Sequence, residues 1–205
     1  MVVPAPSLTK GERTRQLVLE AAIARFGRDG YRGTSVAEIA RDARLSGTAA
    51  YVYFPNKEAL FLAAVDEDAA AVIVEGLSSL AEDTDVDQWR DRLIFTLLAA
   101  VGRHPLARRV LSGLEPEFTA RLLTIPALEQ LRKTCGERIR TQQVAGDVRA
   151  DIDAQAIANG LVTIVLSLLM SLLQTGTDPA TLLGRDVAAV VEAALSPPAG
   201  ASPNS

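Results

Sequence analysis

Residues 34–60, TSVAEIARDARLSGTAAYVYFPNKEAL, constrain the fold more than any other stretch. Ser35 with Glu38 forms a capping-box pattern, in which each side chain satisfies the other residue's backbone N–H. It opens a short helix with Val36, Ile39 and Ala40 turned inward. Ser46 is a suitable N-cap for a third helix, and Asn56, after Pro55, caps a fourth. Helix, tight turn, helix, aromatic pair and a new helix with Lys57 in its first turn together make the layout of a DNA-reading element.

The composition of this stretch supports that reading. A helix that enters the major groove needs small or polar residues on its exposed face. Residues 46–52, SGTAAYV, are small except for Tyr51. Flanking groups must hold the duplex through its phosphates. Tyr53 offers a hydroxyl, Lys57 a point charge, and the start of the fourth helix free N–H groups. Thr34 and Ser35 stand at the start of the second helix and can do the same. Tyr51 either reaches the DNA or packs between helices, and Arg44 is either solvated or base-reading.

Charge is divided along the chain. The net charge is −4, which alone argues against a nucleic-acid partner. Up to residue 57, however, nine Lys/Arg face five acids, a balance of +4. The remainder has twelve against twenty, a balance of −8. A small basic module on an acidic body is the expected organisation.

The rest of the chain carries helical signals and few strand signals. Thr9 with Glu12 is a further capping box, opening a first helix whose face holds Val18, Leu19, Ala22, Ile23 and Phe26 and which ends at Gly30. The fourth helix is expected to run from Asn56 to Leu80, followed by a polar connector at 81–87. An apolar helix over 88–103 breaks at His104–Pro105, because the residue before proline is pushed out of the helical region. Shorter helices follow, interrupted at Pro116 and Pro126, and a helix from Ala127 to Val144 ends at Gly146. Residues 154–174 form another apolar helix. A membrane span competes there, but Asn159, Gly160, Thr163, Ser167 and Ser171 interrupt the run, which favours a packing helix. The last helix is expected from Pro179 to Leu195. The tail at 196–205 has too little apolar content to order. The fold expected is all-α: an arm at 1–8, a helix-turn-helix domain at 9–55 and a larger helical domain at 56–195.

LSGTAAYVYFPNKEAL, together with Phe26, Gly30 and TSVAEIA upstream, resembles the signature of the tetracycline-repressor (TetR) family of regulators. The specific match covers residues 9–62, and the remainder is similar in helix order and length. The resemblance implies phosphate contacts from Thr34, Ser35 and Lys57. It implies a recognition helix that begins at Gly47, Thr48 and Ala49, and DNA contacts from Tyr51 and Tyr53. Three departures stand out. Ala37 occupies a position where many relatives carry a base-contacting arginine. Arg44 stands where the family usually has a turn glycine. Thr48 and Ala49 stand where Gly and Thr are commoner. Direct base readout is therefore thin, and DNA shape or an arm bearing Lys10 and Arg13 is left to supply specificity.

One three-helix module reads few base pairs, so a homodimer on double-stranded operator DNA is expected. The apolar surface of the last two helices exceeds what one partner helix covers, which makes them the expected interface. Thr163, Ser167, Met170, Ser171, Val187, Val190 and Val191 are its candidates. The middle helices are expected to enclose a pocket for a small, largely apolar effector. Its candidate residues are Trp89, Phe95, Arg103, His104, Glu115, Phe118 and Cys135. His104, at a helix break, reads as a turn or capping residue rather than a metal ligand or general base. Cys135, the only cysteine, reads as a small core residue. No catalytic motif is present, and no cofactor or metal is expected. The N-terminus shows no secretory signal, so a cytoplasmic protein is expected. The function expected is ligand-responsive transcriptional repression. An activator of the same fold, or a helical interaction module with a vestigial helix-turn-helix, is the alternative.

Overall fold

The computed structural model describes residues 9–81, 89–176 and 185–197. The arm at 1–8, the connector at 82–88, the start of the last helix at 177–184 and most of the tail lie outside the described residues. Helix α1 (Lys10–Asp29) opens on the expected capping box: the Glu12 N–H donates to Thr9 Oγ1, and the Glu12 carboxylate accepts from the Thr9 N–H. It ends where Gly30 takes a φ of 76° and donates its N–H to the Phe26 carbonyl. Helix α2 (Val36–Asp42) follows, then α3 (Lys57–Ala81), whose first turn is capped by Asn56 Oδ1 accepting from the Ala59 N–H at 2.8 Å. Helices α4 (Trp89–Arg103) and α5 (Pro105–Leu111) meet at His104, in extended backbone, with Pro105 at the first helical position. A 3-10 turn at Pro116–Phe118 leads into α6 (Thr119–Leu122). Then come α7 (Pro126–Ala145), α8 (Ala154–Thr175) and α9 (Arg185–Leu195). Among the described residues there is no strand, as the all-α expectation required.

One expected element is different. The third helix is not an α-helix: after Ser46 the backbone makes only a 3-10 turn, Ala49–Val52. Neither Ser46 nor Thr48 supplies a side-chain cap hydrogen bond there, and SGTAAYV holds no charged pair to support a first turn. Nucleating a helix in so short a segment costs more than its backbone bonds return.

Helix α3 is the spine. It packs against α1 on one side and against α4, α5 and α7 on others, while α7 and α8 form a second extensive pair. A single cluster of buried side chains runs through the whole assembly, from Val18 and Phe26 through Phe61 and Val65 to Leu97, Ile139 and Val162. Burying such side chains contributes about 1.5–3 kcal/mol each, so head and body share one core.

Polar groups fix where the elements meet. Asp68 of α3 is buried, and its Oδ2 accepts from the N–H groups of Leu106 and Ala107 at 3.0 and 2.8 Å. These are orphan donors of the first turn of α5, so α3 caps α5 with its own carboxylate. Arg121 of α6 pairs with Asp66 of α3. Glu115, also buried, accepts from Arg109 Nε at 2.7 Å and from the Tyr31 N–H at 3.0 Å. That carboxylate ties the turn after α1 to the body. Gly30 makes room for it, since a Cβ there would collide with Arg109 and Glu115.

Candidate nucleic-acid interface and effector cavity

The candidate interface begins with α2. Its Ser35 cap is complete in both directions: the Glu38 N–H donates to Ser35 Oγ at 3.3 Å, and the Ser35 N–H and O–H donate to the Glu38 carboxylate at 3.0 and 2.8 Å. Hydrogen bonds from the Ser35 hydroxyl and N–H hold the Glu38 carboxyl below the usual range. Both Ser35 donors are thus engaged, and the amides still open at this helix start are those of Val36 and Ala37. Thr34 is a correction. Its side chain is buried and its hydroxyl has no hydrogen-bond partner among the described residues, so it faces the core and not a phosphate. Ala37 is exposed, and a Cβ on Gly47 would lie 3.9 Å from that of Ala37. The two small residues therefore form one shallow surface.

Arg44 has the left-handed backbone of a turn glycine, with φ of 60°. Its N–H donates to the Arg41 carbonyl, while the Leu45 N–H donates to that of Ala40. This pair of bonds is the Schellman ending of a helix. The side chains of Arg41 and Arg44 are exposed and make no ion pair among the described residues. By contrast, Arg25 is held by Asp42 at 2.6 Å, with Glu38 and Asp29 nearby. The Arg25 hydrogen bond keeps Asp42 below its usual pKa. Of the basic residues, then, Arg41 and Arg44 offer free charge beside the turn. Sequence reasoning counted Arg41 as charge and gave it no role.

The 3-10 turn presents Tyr51 at 51% and Val52 at 79% exposure. Tyr51 is not a packing residue between helices. Thr48 is exposed, while Ala49 and Tyr53 are half-buried. Lys57 places its ammonium 4.4 Å from the centre of the Tyr31 ring. Tyr31 in turn stacks edge-on with Phe61 and Phe118 at 5.0 and 4.9 Å. Lys57 is thereby seated on an aromatic group that also packs against Phe61 and Phe118. Attraction between cation and ring restrains the ammonium of this half-buried residue.

Above the head lies a cavity of about 120 Å³ between α3, α4, α7 and α8. Ala69, Val72 and Ile73 of α3, Leu93 and Leu97 of α4, and Leu161 and Val165 of α8 are among its walls. Trp89 and Cys135 line it as expected. Burial pushes the Cys135 thiol up to about 11, so it stays protonated and unreactive. The other five candidates do not line it. Phe95 points outward at 64% exposure. Arg103 is exposed and pairs with Glu75. His104 sits between Asp68 and Glu75, at 2.8 and 3.0 Å. Glu115 serves the latch to Tyr31, and Phe118 joins the aromatic cluster. Arg103, His104, Glu115 and Phe118 instead make joints between elements of the fold.

On α8, Asn159, Gly160, Thr163, Ser167 and Ser171 are exposed along one face. Thr163 and Ser167 donate their hydroxyls to the carbonyls four residues back, at 2.8 and 2.9 Å. Their polar groups are satisfied within the helix. By length and composition α8 is apolar enough to cross a membrane, with mean hydropathy 2.2, and 22% of that window is buried. Met170 and Val191 are half-buried and Val190 is 66% exposed. The side chain of Val187 lies outside the described residues.

Comparison with known proteins agrees with this arrangement. Residues 18–64 match the family described as bacterial regulatory proteins, tetR family. Over 47 residues the chain is 49% identical to the HTH-type transcriptional regulator YuxN of Bacillus subtilis. That stretch is 23% of this chain and 16% of YuxN, so the likeness there is one of the head alone. The chain is 31% identical over 185 residues to the HTH-type transcriptional repressor AcnR of Corynebacterium diphtheriae, covering 86% of this chain and 89% of that one. Among solved structures, a protein from Mesorhizobium loti assigned to the TetR family superposes with a TM-score of 0.70 at 23% identity. It covers 92% of this chain and 100% of its own. With the helix-turn-helix signature and the helical body present together, and with a likeness that spans nearly the full length of AcnR, the chain belongs to the TetR family of DNA-binding transcriptional regulators.

Proposed function

We propose that the chain acts as a homodimeric repressor whose grip on operator DNA is released by a small, largely apolar molecule. Residues 9–55 serve as the DNA-reading head and 56–195 as the effector and dimer body. Lys57, Tyr53 and the open amides at the start of α2 hold phosphates, with Ser35 keeping that helix start in place. Thr48, Tyr51 and the shallow Ala37–Gly47–Ala49 surface face the groove, and Arg41 and Arg44 add charge at its edge. Two copies meet through the small-residue face of α8 and through α9, which covers the apolar surface that one copy leaves open.

The observation that carries this reading is the position of α3. Its first residue is Lys57 at the DNA face, and three turns later Ala69, Val72 and Ile73 line the cavity. Occupancy of the cavity then shifts the population between two head separations through one rigid element.

Lys57→Ala tests the DNA half. Removing one phosphate contact weakens binding across all sequences and reduces the salt slope by about one. The measurement is fluorescence anisotropy with duplexes from the DNA flanking the chain's own gene, over a range of salt concentrations. Unchanged affinity together with an unchanged slope removes the phosphate role.

A further inference from the structure

Four helices converge at His104–Pro105. The first turn of α5 lies so close to α1 that a Cβ on Gly27 would stand 2.8 Å from that of Pro105 and 3.1 Å from the Leu106 nitrogen. The position of α5 therefore constrains that of α1, the first helix of the proposed head. Asp68 of α3 holds α5 in turn. Its Oδ2 accepts from the Leu106 and Ala107 N–H groups, and its Oδ1 meets His104 Nδ1 at 2.8 Å. Glu75, two turns further along α3, meets His104 Nε2 at 3.0 Å and also pairs with Arg103 of α4. The charged groups around the ring are thus Asp68 and Glu75 from α3 and, through Glu75, Arg103 from α4. To the same joint α5 brings Pro105 and its backbone N–H groups, and α1 brings Gly27.

A ring with a carboxylate on each nitrogen donates to both only as the imidazolium. Without the second proton, one nitrogen turns a lone pair toward a carboxylate and that contact is lost. Asp68 is buried, whereas Glu75 is half-buried and keeps Arg103. Stranding the buried carboxylate costs more, so the remaining proton stays on Nδ1 and the Glu75 contact is the one that opens. We infer that His104 is a proton-operated clamp: protonated, it ties the α4–α5 joint to α3 and fixes the head on the body, and on deprotonation it releases the Glu75 side and frees the head. The inference rests on the repressor reading for its consequence on DNA. A freed head spends less time in the arrangement that fits two half-sites, and apparent affinity falls with that fraction. Burial opposes the charged ring, but the hydrogen bonds to Glu75 and Asp68 outweigh it, so the change falls above the ordinary histidine range.

The probe is a duplex enriched from a random-sequence library, with affinity followed by fluorescence anisotropy from about pH 6 to about pH 9. His104 is the only histidine, so its ring nitrogens give one pair of NMR signals that fix the midpoint of its titration independently. The wild type is expected to lose about two- to fivefold in affinity per chain, the range of a partly exposed ion pair, with the midpoint of the ring. His104→Gln is expected to show no such decline. Glu75→Gln is expected to keep the acid-range affinity throughout, because an amide accepts from a ring N–H and donates to a bare ring nitrogen. A ring that titrates while wild-type affinity stays constant overturns the clamp and leaves the repressor reading intact. A decline that persists undiminished in Glu75→Gln does the same. If no duplex is preferred at any pH, the repressor reading fails and the clamp's role falls with it.

Discussion

At Arg44 the backbone is left-handed and the side chain is an arginine, a combination that costs about 1–2 kcal/mol relative to a residue without Cβ. Glycine gives some of this back through its larger unfolded-state entropy. Arg44→Gly is therefore expected to stabilise the chain by about 0.5–1 kcal/mol in urea unfolding while it weakens DNA binding. A gain in stability with unchanged operator affinity would mean that Arg44 only fills the turn. The turn itself is legible in the sequence, because the α2 pattern ends at Asp42 and the next apolar run is out of phase. The sign of φ at Arg44 is not, since nothing local in ARLSG marks a non-glycine residue for that conformation. Thr34 is similar: its place before a capping box suggests an exposed donor, and only packing against the core shows it buried.

Among the elements, the joint between α4 and α5 carries the pH dependence. His104 meets a carboxylate on each ring nitrogen, Asp68 on one side and Glu75 on the other, and Arg103 also holds Glu75. Both contacts are hydrogen bonds only when the ring carries two protons. Burial lowers the imidazolium's pKa, but the hydrogen bonds to Glu75 and Asp68 outweigh it, and the value stands above the ordinary one. A raised folded-state pKa means that this stabilisation is full below about pH 6.5 and fades as pH rises through the folded value. Thermal unfolding should show that decline in the wild type, and His104→Gln should flatten it. An equal decline in both proteins would place the dependence elsewhere. The small-residue face of α8 makes a separate prediction. Ser167→Arg would bury two unpaired charges across a symmetric contact. It should raise the dimer dissociation constant at least about a hundredfold by light scattering; an unchanged mass places the interface on another face. Helices α1, α2 and α3 were legible because Thr9, Ser35 and Asn56 state their starts locally. The 46–52 segment was not, because seven residues, all small but Tyr51, carry too little local signal to separate an α-helix from one 3-10 turn. The cavity was legible only at Trp89 and Cys135. Most of its other walls are leucines, isoleucines and valines with the periodicity of any core, and a void leaves no mark on that periodicity.

The whole molecule joins these pieces through one spine. Lys57, the aromatic cluster, the carboxylate that caps α5 and part of the cavity wall all belong to α3 or touch it. The apolar core is continuous from head to body, and under the proposed function a ligand among Val72 and Leu97 would bias the position of Lys57, because packed interiors move as units rather than deform locally. A single head makes few base contacts, so useful affinity requires two copies on one duplex. The most direct test is sedimentation equilibrium of the chain with a duplex enriched by binding from a random-sequence library, compared with a scrambled duplex of the same length. The account predicts an even number of chains on each enriched duplex and a preference of at least about a thousandfold over the scrambled one, the lower bound for specific protein–DNA recognition. One chain per duplex, or equal affinity for both duplexes, would contradict it.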